Sequence, residues 1–92
     1  MSDAVARKVQ IYGRVQGVFF RQWAVNQARE LGVAGWIRNR SDGSVEAQVA
    51  GGEGAVTQMI DRMREGPSGA RVDDFVMSDA EPEQVDGFSV RV

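Results

Sequence analysis

The residue types over Gly13–Arg21 could bind an anion. This stretch is typical of the end of a strand, a tight glycine-bearing loop and the first turn of a helix. Backbone N–H groups at a helix start are unpaired and lie at the positive end of the helix dipole, so they can hold a phosphate or a carboxylate. Arg21 would oppose that dipole at a cost of about 0.3–1 kcal/mol unless an anion occupies the loop. Its planar guanidinium can also bind two phosphoryl oxygens at once.

The candidate ligands of a phosphoryl group are the backbone amides of this loop and the side chain of Arg21. We call these residues the anion loop; they are Val15, Gln16, Gly17, Val18, Phe19, Phe20 and Arg21. Taken alone, a glycine loop is often a simple turn, and a single arginine is usually solvated. Nucleotide binding is not indicated, because no Gly-Lys-Ser/Thr sequence follows the loop.

A strand and a helix are expected on either side of the anion loop. Residues Lys8–Val15 alternate between apolar and polar side chains, as a half-buried strand requires. Apolar residues then recur at helical spacing over about Arg21–Leu31, and Gly32 can take the left-handed position that ends a helix. Residues 1–5 are expected to form a flexible tail.

The remainder of the chain predicts a hairpin, a second helix and two more strands. Along the sequence these are a strand over Ala34–Asn39, a turn at Ser41–Gly43, a strand over Ser44–Ala50, a helix with apolar Val56, Met59, Ile60 and Met63 that ends at Gly66-Pro67, a strand near Arg71–Met77, an acidic connection over Ser78–Gly87, and a short strand over Phe88–Val92.

This order of elements predicts an α+β, ferredoxin-like α/β sandwich with a C-terminal fifth strand. Both helices would lie on one face of a mostly antiparallel sheet. In this topology the first two strands run parallel with the third strand between them, so their C-terminal ends are about 9–10 Å apart on one sheet edge. Asn39 ends the second strand and is therefore expected within range of an anion bound by Arg21.

The composition predicts a small globular protein without thiol or imidazole chemistry. The 92 residues are enough for one domain, 1–92, and the formal net charge is -2, which is unfavourable for a nucleic-acid-binding protein. Neither Cys nor His occurs, which removes disulfides, thiolate nucleophiles, imidazole bases and the usual zinc ligands. No apolar run reaches the length of a signal peptide or a membrane span, so we expect a cytoplasmic protein that contacts no membrane. A small protein with no cofactor and no obvious docking segment is most simply a monomer.

Other features have structural interpretations. The aromatic residues Phe19, Phe20, Trp23 and Trp36 are expected to pack in the core or at its rim rather than to stack on bases. In Gly51–Gly54 a carboxylate, Glu53, would repel an anion, so this second glycine-rich stretch is interpreted as structural. The acidic residues of the C-terminal half lack the spacing of a metal-binding loop and are expected to form a solvated face, so no metal is predicted.

Two stretches of the chain resemble the signatures of the acylphosphatase family. Gly13–Arg21 resembles the first signature, and Gly35–Glu46 resembles the second, at the family's separation. The similarity extends over about Lys8–Val92 and includes the closing Phe88–Arg91. At Arg40 some relatives, including the animal forms, carry a small hydroxyl residue instead, which leaves Arg21 and Asn39 intact but could change the local charge.

The resemblance implies a five-stranded α/β sandwich that hydrolyses the carboxyl-phosphate bond of small acyl phosphates to a carboxylate and inorganic phosphate. It implies that Arg21 and the amides of the anion loop hold the phosphoryl group and that Asn39 positions the attacking water. It implies neither a metal nor any other cofactor.

The available residue types are sufficient for that reaction. An acyl phosphate expels a carboxylate whose conjugate acid has a pKa of about 4, so it can leave without the general acid that an alkyl ester needs. Phosphoryl transfer depends mostly on positioning and on stabilisation of charge, which Arg21 and the loop amides can supply. Asn39 is a neutral amide and cannot act as a base; we therefore expect it to hold water in line while a phosphoryl oxygen of the substrate takes the proton.

Two alternative functions are compatible with the same fold. The first is a non-catalytic module that senses phosphate or another anion through Arg21; the presence of Asn39 argues against it. The second is an RNA-binding module, which the net charge and the lack of basic and aromatic residues on the first strand disfavour. The physiological acyl group stays open, because nothing outside the anion loop is typical of a specificity pocket.

Overall fold

The computed structural model describes residues 4–92, which form five strands and two helices. In chain order these are β1 (Ala4–Arg14), α1 (Phe20–Leu31), β2 (Ala34–Asn39), β3 (Val45–Gly52), α2 (Glu53–Glu65), β4 (Arg71–Asp79) and β5 (Phe88–Val90). The strands make one sheet in the order β4-β1-β3-β2-β5, in which every neighbouring pair is antiparallel except β2 and β5. The predicted ferredoxin-like α+β fold is confirmed.

The register of β3 places the ends of β1 and β2 at one edge of the sheet. Val45 of β3 pairs with Ile11 of β1 on one side and with Asn39 of β2 on the other. Because β1 and β2 are both antiparallel to β3, they run parallel to each other, as the sequence predicts. Two strand spacings separate them, which is about 9–10 Å.

The core lies between the two helices and one face of the sheet. The strand side chains Val9, Ile11, Val45, Ala47 and Val49, which alternate along β1 and β3, are all fully buried. Both helices present apolar residues at helical spacing to this face. Their buried side chains are Phe20, Ala24, Val25 and Ala28 of α1, and Val56, Met59, Ile60 and Met63 of α2.

The helix α1 begins and ends close to its predicted limits. It starts at Phe20, which is buried, and it ends at Gly32, whose φ of 73° is left-handed and whose N–H donates to the carbonyl of Ala28. Glycine adopts this conformation without the steric cost of a Cβ, so the predicted helix stop is confirmed.

The first strand begins earlier than the sequence predicts. Ala4 pairs with Gly52 and Val5 pairs with Gly51, so the expected flexible tail is wrong for these two residues. The reason is that β3 continues through Gly51 and Gly52, and its backbone provides hydrogen-bonding partners that no local pattern near the N-terminus reveals. Residues 1–3 of the predicted tail lie outside the described residues.

The second face of the sheet is partly covered by the acidic segment that precedes β5. We call residues 80–87 the strap. The side chain of Gln48 donates to the carbonyl of Glu81 at 2.8 Å, and the indole of Trp36 donates to the carboxylate of Glu83 at 3.1 Å. Gln48 of β3 is therefore buried, although its position in the alternating pattern predicts solvent exposure.

A glycine in β2 provides a test of this packing. Gly35 has a φ of 139°, and a Cβ on it would overlap the carbonyl oxygen of Gln48 on the neighbouring strand. We expect Gly35→Ala to lower the free energy of unfolding by about 3 kcal/mol or more, because neither backbone can move without breaking the sheet. Urea unfolding would measure the loss.

The matched control is Gly54→Ala. Gly54 lies in α2, and a Cβ there would have nothing within 4 Å. This substitution should raise the free energy of unfolding, by up to about 1 kcal/mol, because alanine is the better helix former. Equal effects of the two substitutions would contradict the described contact between β2 and β3.

Candidate functional site

The anion loop reverses the chain between β1 and α1 through two residues in left-handed conformation. Gly17 has a φ of 74° and Phe19 has a φ of 61°. Within residues 4–92, Phe19 is the one non-glycine residue with positive φ. Such a conformation costs on the order of 1–3 kcal/mol and persists where the surroundings enforce it. Here the flanking residues Val15 and Phe20 are buried, so they hold the loop in this shape.

The loop exposes a row of backbone hydrogen-bond donors. In the described part of the chain, the N–H groups of Gln16 to Gln22 have no hydrogen-bond acceptor; the first N–H bonded across this end of the helix is that of Trp23, to the carbonyl of Phe19. These donors surround the N-terminus of α1, where the helix dipole is positive. The arrangement is complementary to an anion.

Arg21 adds a full positive charge at the same place. The first turn of α1 contains no acidic residue, and Arg21 is exposed. Its guanidinium has no salt-bridge or hydrogen-bond partner among residues 4–92. A cation without a partner beside a positive helix end is unfavourable by itself, and a phosphoryl group in the loop would compensate both charges.

The anion loop and Asn39 line one cavity of about 410 Å³. Its walls are Val15, Gln16, Gly17, Phe19, Phe20, Arg21, Gln22, Asn39 and Val90. Of the predicted loop residues, Val18 does not line this cavity; its side chain packs against the core instead. Gln22 and Val90 are additions that sequence reasoning missed, and Val90 comes from the edge strand β5, beside Ile37 of β2. No local signal connects Val90 with the loop.

The side chain of Asn39 carries an unsatisfied acceptor. Its Oδ1 is buried and has no hydrogen-bond partner within residues 4–92. A buried polar atom without a partner costs about 1–3 kcal/mol, and such atoms are uncommon in folded proteins. Asn39 also lines the cavity, so its side chain has an acceptor left over for a molecule bound there.

The side chain of Gln16 connects the anion loop to the hairpin that carries Asn39. Its Nε2 donates to the carbonyl oxygens of Arg40 and Ser44, each at 2.8 Å. From the sequence, Gln16 is predicted only as a backbone ligand. Because Arg40 and Ser44 are 24 and 28 residues away, no spacing within the chain could have revealed the side-chain contacts.

The hairpin turn, residues 40–44, is closed by its own hydrogen bonds. The N–H of Arg40 donates to the carbonyl of Ser44 at 2.8 Å, and the N–H of Gly43 donates to the carbonyl of Arg40 at 3.2 Å. The carboxylate of Asp42 accepts from both the hydroxyl and the N–H of Ser44. These two bonds, the hydroxyl first, and the nearby charge of Arg40 hold the pKa of Asp42 below its usual value.

A cluster of three charged residues, Arg38, Arg40 and Glu46, lies next to the hairpin turn. Glu46 of β3 is buried and pairs with Arg38 at 2.6 Å and with Arg40 at 3.5 Å. The positive charge of Arg40 is therefore compensated by Glu46, in contrast to that of Arg21. Arg40 thus supports the turn through its ion pair with Glu46.

The other predicted features are also placed by the structure. Glu53 lies in the first turn of α2, where a carboxylate favours the helix dipole, and this agrees with the structural interpretation of Gly51–Gly54. Phe19 is 85 % exposed, so the expectation that it packs in the core or at the rim is wrong. The predicted core packing of Phe20 is confirmed, and its ring contacts Trp23 edge-on, with 5.4 Å between centroids. Residues 4–92 contain no group of three side chains able to hold a metal.

Comparison with known proteins identifies the same family that the two signatures resemble. The family model described as Acylphosphatase matches residues 7–90. A curated relative from Rhizorhabdus wittichii, named acylphosphatase, is 48% identical over 87 residues, which are 95% of this chain and 88% of the relative.

Solved acylphosphatase structures have the same fold. The acylphosphatase from Coxiella burnetii superposes with a TM-score of 0.92 at 32% sequence identity, over 97% of this chain and 94% of that one. The acylphosphatase from Bacillus subtilis superposes with a TM-score of 0.91 at 30% identity, over 96% of this chain and 99% of that one.

The lowered pKa of Asp42 predicts how pH affects the hairpin turn. A carboxyl whose pKa is depressed by folding stabilises the native state above its unfolded pKa of about 4, and this contribution is lost as pH falls through the folded value. Asp42→Asn keeps the shape and removes the charge. We therefore expect the variant to have a lower Tm than the unmodified protein at pH 6, with the difference shrinking as the pH falls below about 4.

Thermal unfolding followed by circular dichroism at several pH values would measure this difference. Asp61→Asn is the control for net charge, since Asp61 is an exposed carboxylate of α2 without a hydrogen bond or ion pair to the described residues. A difference for Asp42→Asn that stays constant from pH 6 to pH 3 would contradict the assignment.

Proposed function

This chain belongs to the acylphosphatase family and is a hydrolase acting on acyl phosphates, and we propose that the cavity between the anion loop and Asn39 is its active site. The observation that carries this proposal is the meeting of two unsatisfied sets of groups in one cavity. Unpartnered N–H donors and the free guanidinium of Arg21 belong to one part of its lining, and Asn39, whose buried Oδ1 has no hydrogen-bond partner, belongs to another.

The donors are suited to the phosphoryl group. In the proposed complex the amides of Val15–Phe20 and the guanidinium of Arg21 bind the non-bridging oxygens. Charge in the loose transition state of phosphoryl transfer is spread over these oxygens, so donors that are already oriented stabilise it without reorganisation. The exposed N-terminus of α1 adds to this stabilisation through its dipole.

Asn39 is suited to the attacking water. Its Oδ1 accepts a hydrogen bond from the water and holds the water oxygen in line with the bond that breaks. A new bond forms between this oxygen and phosphorus, the bond from phosphorus to the acyl oxygen breaks, and the carboxylate departs with the electron pair. The proton of the water passes to a phosphoryl oxygen, because a neutral amide is not a base near pH 7.

The leaving group explains why this set of residues is sufficient. A carboxylate has a conjugate-acid pKa of about 4 and departs without protonation, so no general acid is required. We propose that the reaction needs no metal or other cofactor, since Arg21 and the loop amides provide the positive potential. A phosphate ester with a basic alkoxide as its leaving group should be a poor substrate.

The oligomeric state, the cellular location and the partners of the protein are also part of the proposal. We propose that the chain acts as a single-domain monomer on small acyl phosphates in the cytoplasm, without nucleic acid or a membrane as partner. The net charge of -2 weighs against nucleic acid. Neither α1 nor α2 has the length and hydrophobicity that crossing a bilayer would require.

The role of Asn39 is tested by Asn39→Ala. We expect kcat to fall by about 100-fold or more with KM within about threefold of its original value, because the variant loses the water and keeps the phosphoryl ligands. Phosphate release from benzoyl phosphate in the presence of EDTA measures both constants, and p-nitrophenyl phosphate serves as the ester control. Asn26→Ala, at an exposed amide of α1, should change neither constant.

A full kcat in Asn39→Ala would show that the water is held elsewhere. No turnover by the unmodified protein, together with phosphate binding that depends on Arg21, would instead favour the anion-sensing alternative.

The role of Arg21 is tested by Arg21→Lys and Arg21→Ala. Lysine keeps the charge but cannot bind two oxygens in the fixed geometry of a guanidinium. We expect both variants to raise KM and to lower kcat, with kcat/KM reduced by at least about 100-fold in the alanine variant. Arg29→Ala is the matched control, since Arg29 lies in the last turn of the same helix and outside the cavity. Equal effects at the two arginines would contradict the assignment.

A further inference from the structure

The most direct connection between the two halves of the proposed active site is the side chain of Gln16. Its backbone belongs to the anion loop, and its carboxamide reaches the hairpin turn that directly follows Asn39. The amide nitrogen donates to Arg40 and Ser44, which are the first and last residues of that turn. Gln16 therefore spans the gap between β1 and β2 at the edge of the sheet where the cavity lies.

The geometry of these bonds restricts both partners. The carbonyl of Arg40 already accepts from Gly43, and the carbonyl of Ser44 already accepts from Arg40, so Gln16 supplies the second hydrogen bond of each. With both hydrogens of its nitrogen directed at fixed backbone oxygens, the carboxamide has one orientation. The loop cannot shift relative to the turn without breaking one of the two bonds.

We propose that Gln16 is a positioning residue that sets the separation between the anion loop and Asn39. This inference rests on the proposed function, in which the loop holds phosphorus and Asn39 holds the water. Neither group needs the side chain of Gln16 for its own hydrogen bonds, since the loop uses only the backbone N–H of this residue. What Gln16 contributes is their relative placement, which decides whether the water lies in line with the breaking bond.

Small displacements have large effects on such a reaction. Reacting atoms about 3–3.5 Å apart and aligned react efficiently, and a misplacement of 1 Å can lower the rate by about 100-fold. The side chain of Gln16 donates to the carbonyl of Arg40, which directly follows Asn39 in the chain. This hydrogen bond is therefore a constraint from the loop that acts close to Asn39. Loss of this constraint should therefore act on turnover rather than on binding of the phosphoryl group.

The test uses Gln16→Met, which keeps the length of the side chain and removes both donors. We expect kcat for benzoyl phosphate to fall by about 10- to 100-fold. The inhibition constant of inorganic phosphate should change by less than about threefold, because the backbone amides and Arg21 remain. Phosphate inhibition also shows that the variant has folded and kept its loop.

The matched control is Gln48→Met. Gln48 is also a glutamine whose Nε2 donates to a distant carbonyl at 2.8 Å, that of Glu81 in the strap; it is buried, whereas Gln16 is half-buried. It is outside the cavity. This variant should lose a comparable amount of thermal stability and keep its kcat, which separates positioning from a general loss of stability.

A double-mutant cycle that combines Gln16→Met with Asn39→Ala tests whether Gln16 acts through Asn39. If Gln16 acts through the placement of Asn39, then Gln16→Met should lower kcat by less than about threefold in the Asn39→Ala background, against 10- to 100-fold in the unmodified one. Equal losses in both backgrounds would overturn the proposal, as would an unchanged kcat in Gln16→Met or a large rise in its phosphate inhibition constant. A failure of the proposed function would give a different result, because the single variant Asn39→Ala would then keep the full kcat of the unmodified protein.

Discussion

The antiparallel pairing of β3 with two strands at once is the constraint on which the site depends. Val45 pairs with Ile11 on one side and with Asn39 on the other, so the ends of β1 and β2 are held at a fixed spacing at one edge of the sheet. A shift of β3 by one residue would turn its buried side chains toward the opposite face of the sheet, so the burial of these side chains fixes the register. The strand ends from which the anion loop and Asn39 extend are thus secured by burial of apolar side chains away from the cavity.

Electrostatics distinguishes the two helices and shows where an anion is expected. In α2 the acidic Glu53 lies in the first turn and satisfies the helix dipole. The first turn of α1 has no acid and carries Arg21, and the loop before it holds Phe19 in a left-handed conformation. Both features disfavour the fold when considered alone, and in the proposed complex the charge of a phosphoryl group would compensate that of Arg21. Such local costs are typical of functional sites, where structure supports chemistry at the expense of stability.

The opposite face of the sheet supports the hairpin turn. Glu46 is buried there and forms ion pairs with the half-buried side chains of Arg38 and Arg40, which connect β3 to β2 and to the turn. Arg40 is anchored by Glu46 through its side chain and by Gln16 through its carbonyl. The turn after Asn39 is therefore held from two directions, by β3 below and by the anion loop across the edge.

The sequence by itself determined the order of elements, the helix stop at Gly32, the glycine loop before α1 and the placement of Arg21 and Asn39 at the same edge of the sheet. These follow from apolar periodicity, glycine conformation and the topology that the element order allows, all of which are local signals or consequences of chain order. Only the tertiary structure decided the start of β1 at Ala4, the wall contributed by Val90 and the two bonds of Gln16. These depend on which backbone groups come into contact once the sheet register is set, and residues far apart in the chain carry no local pattern of that contact.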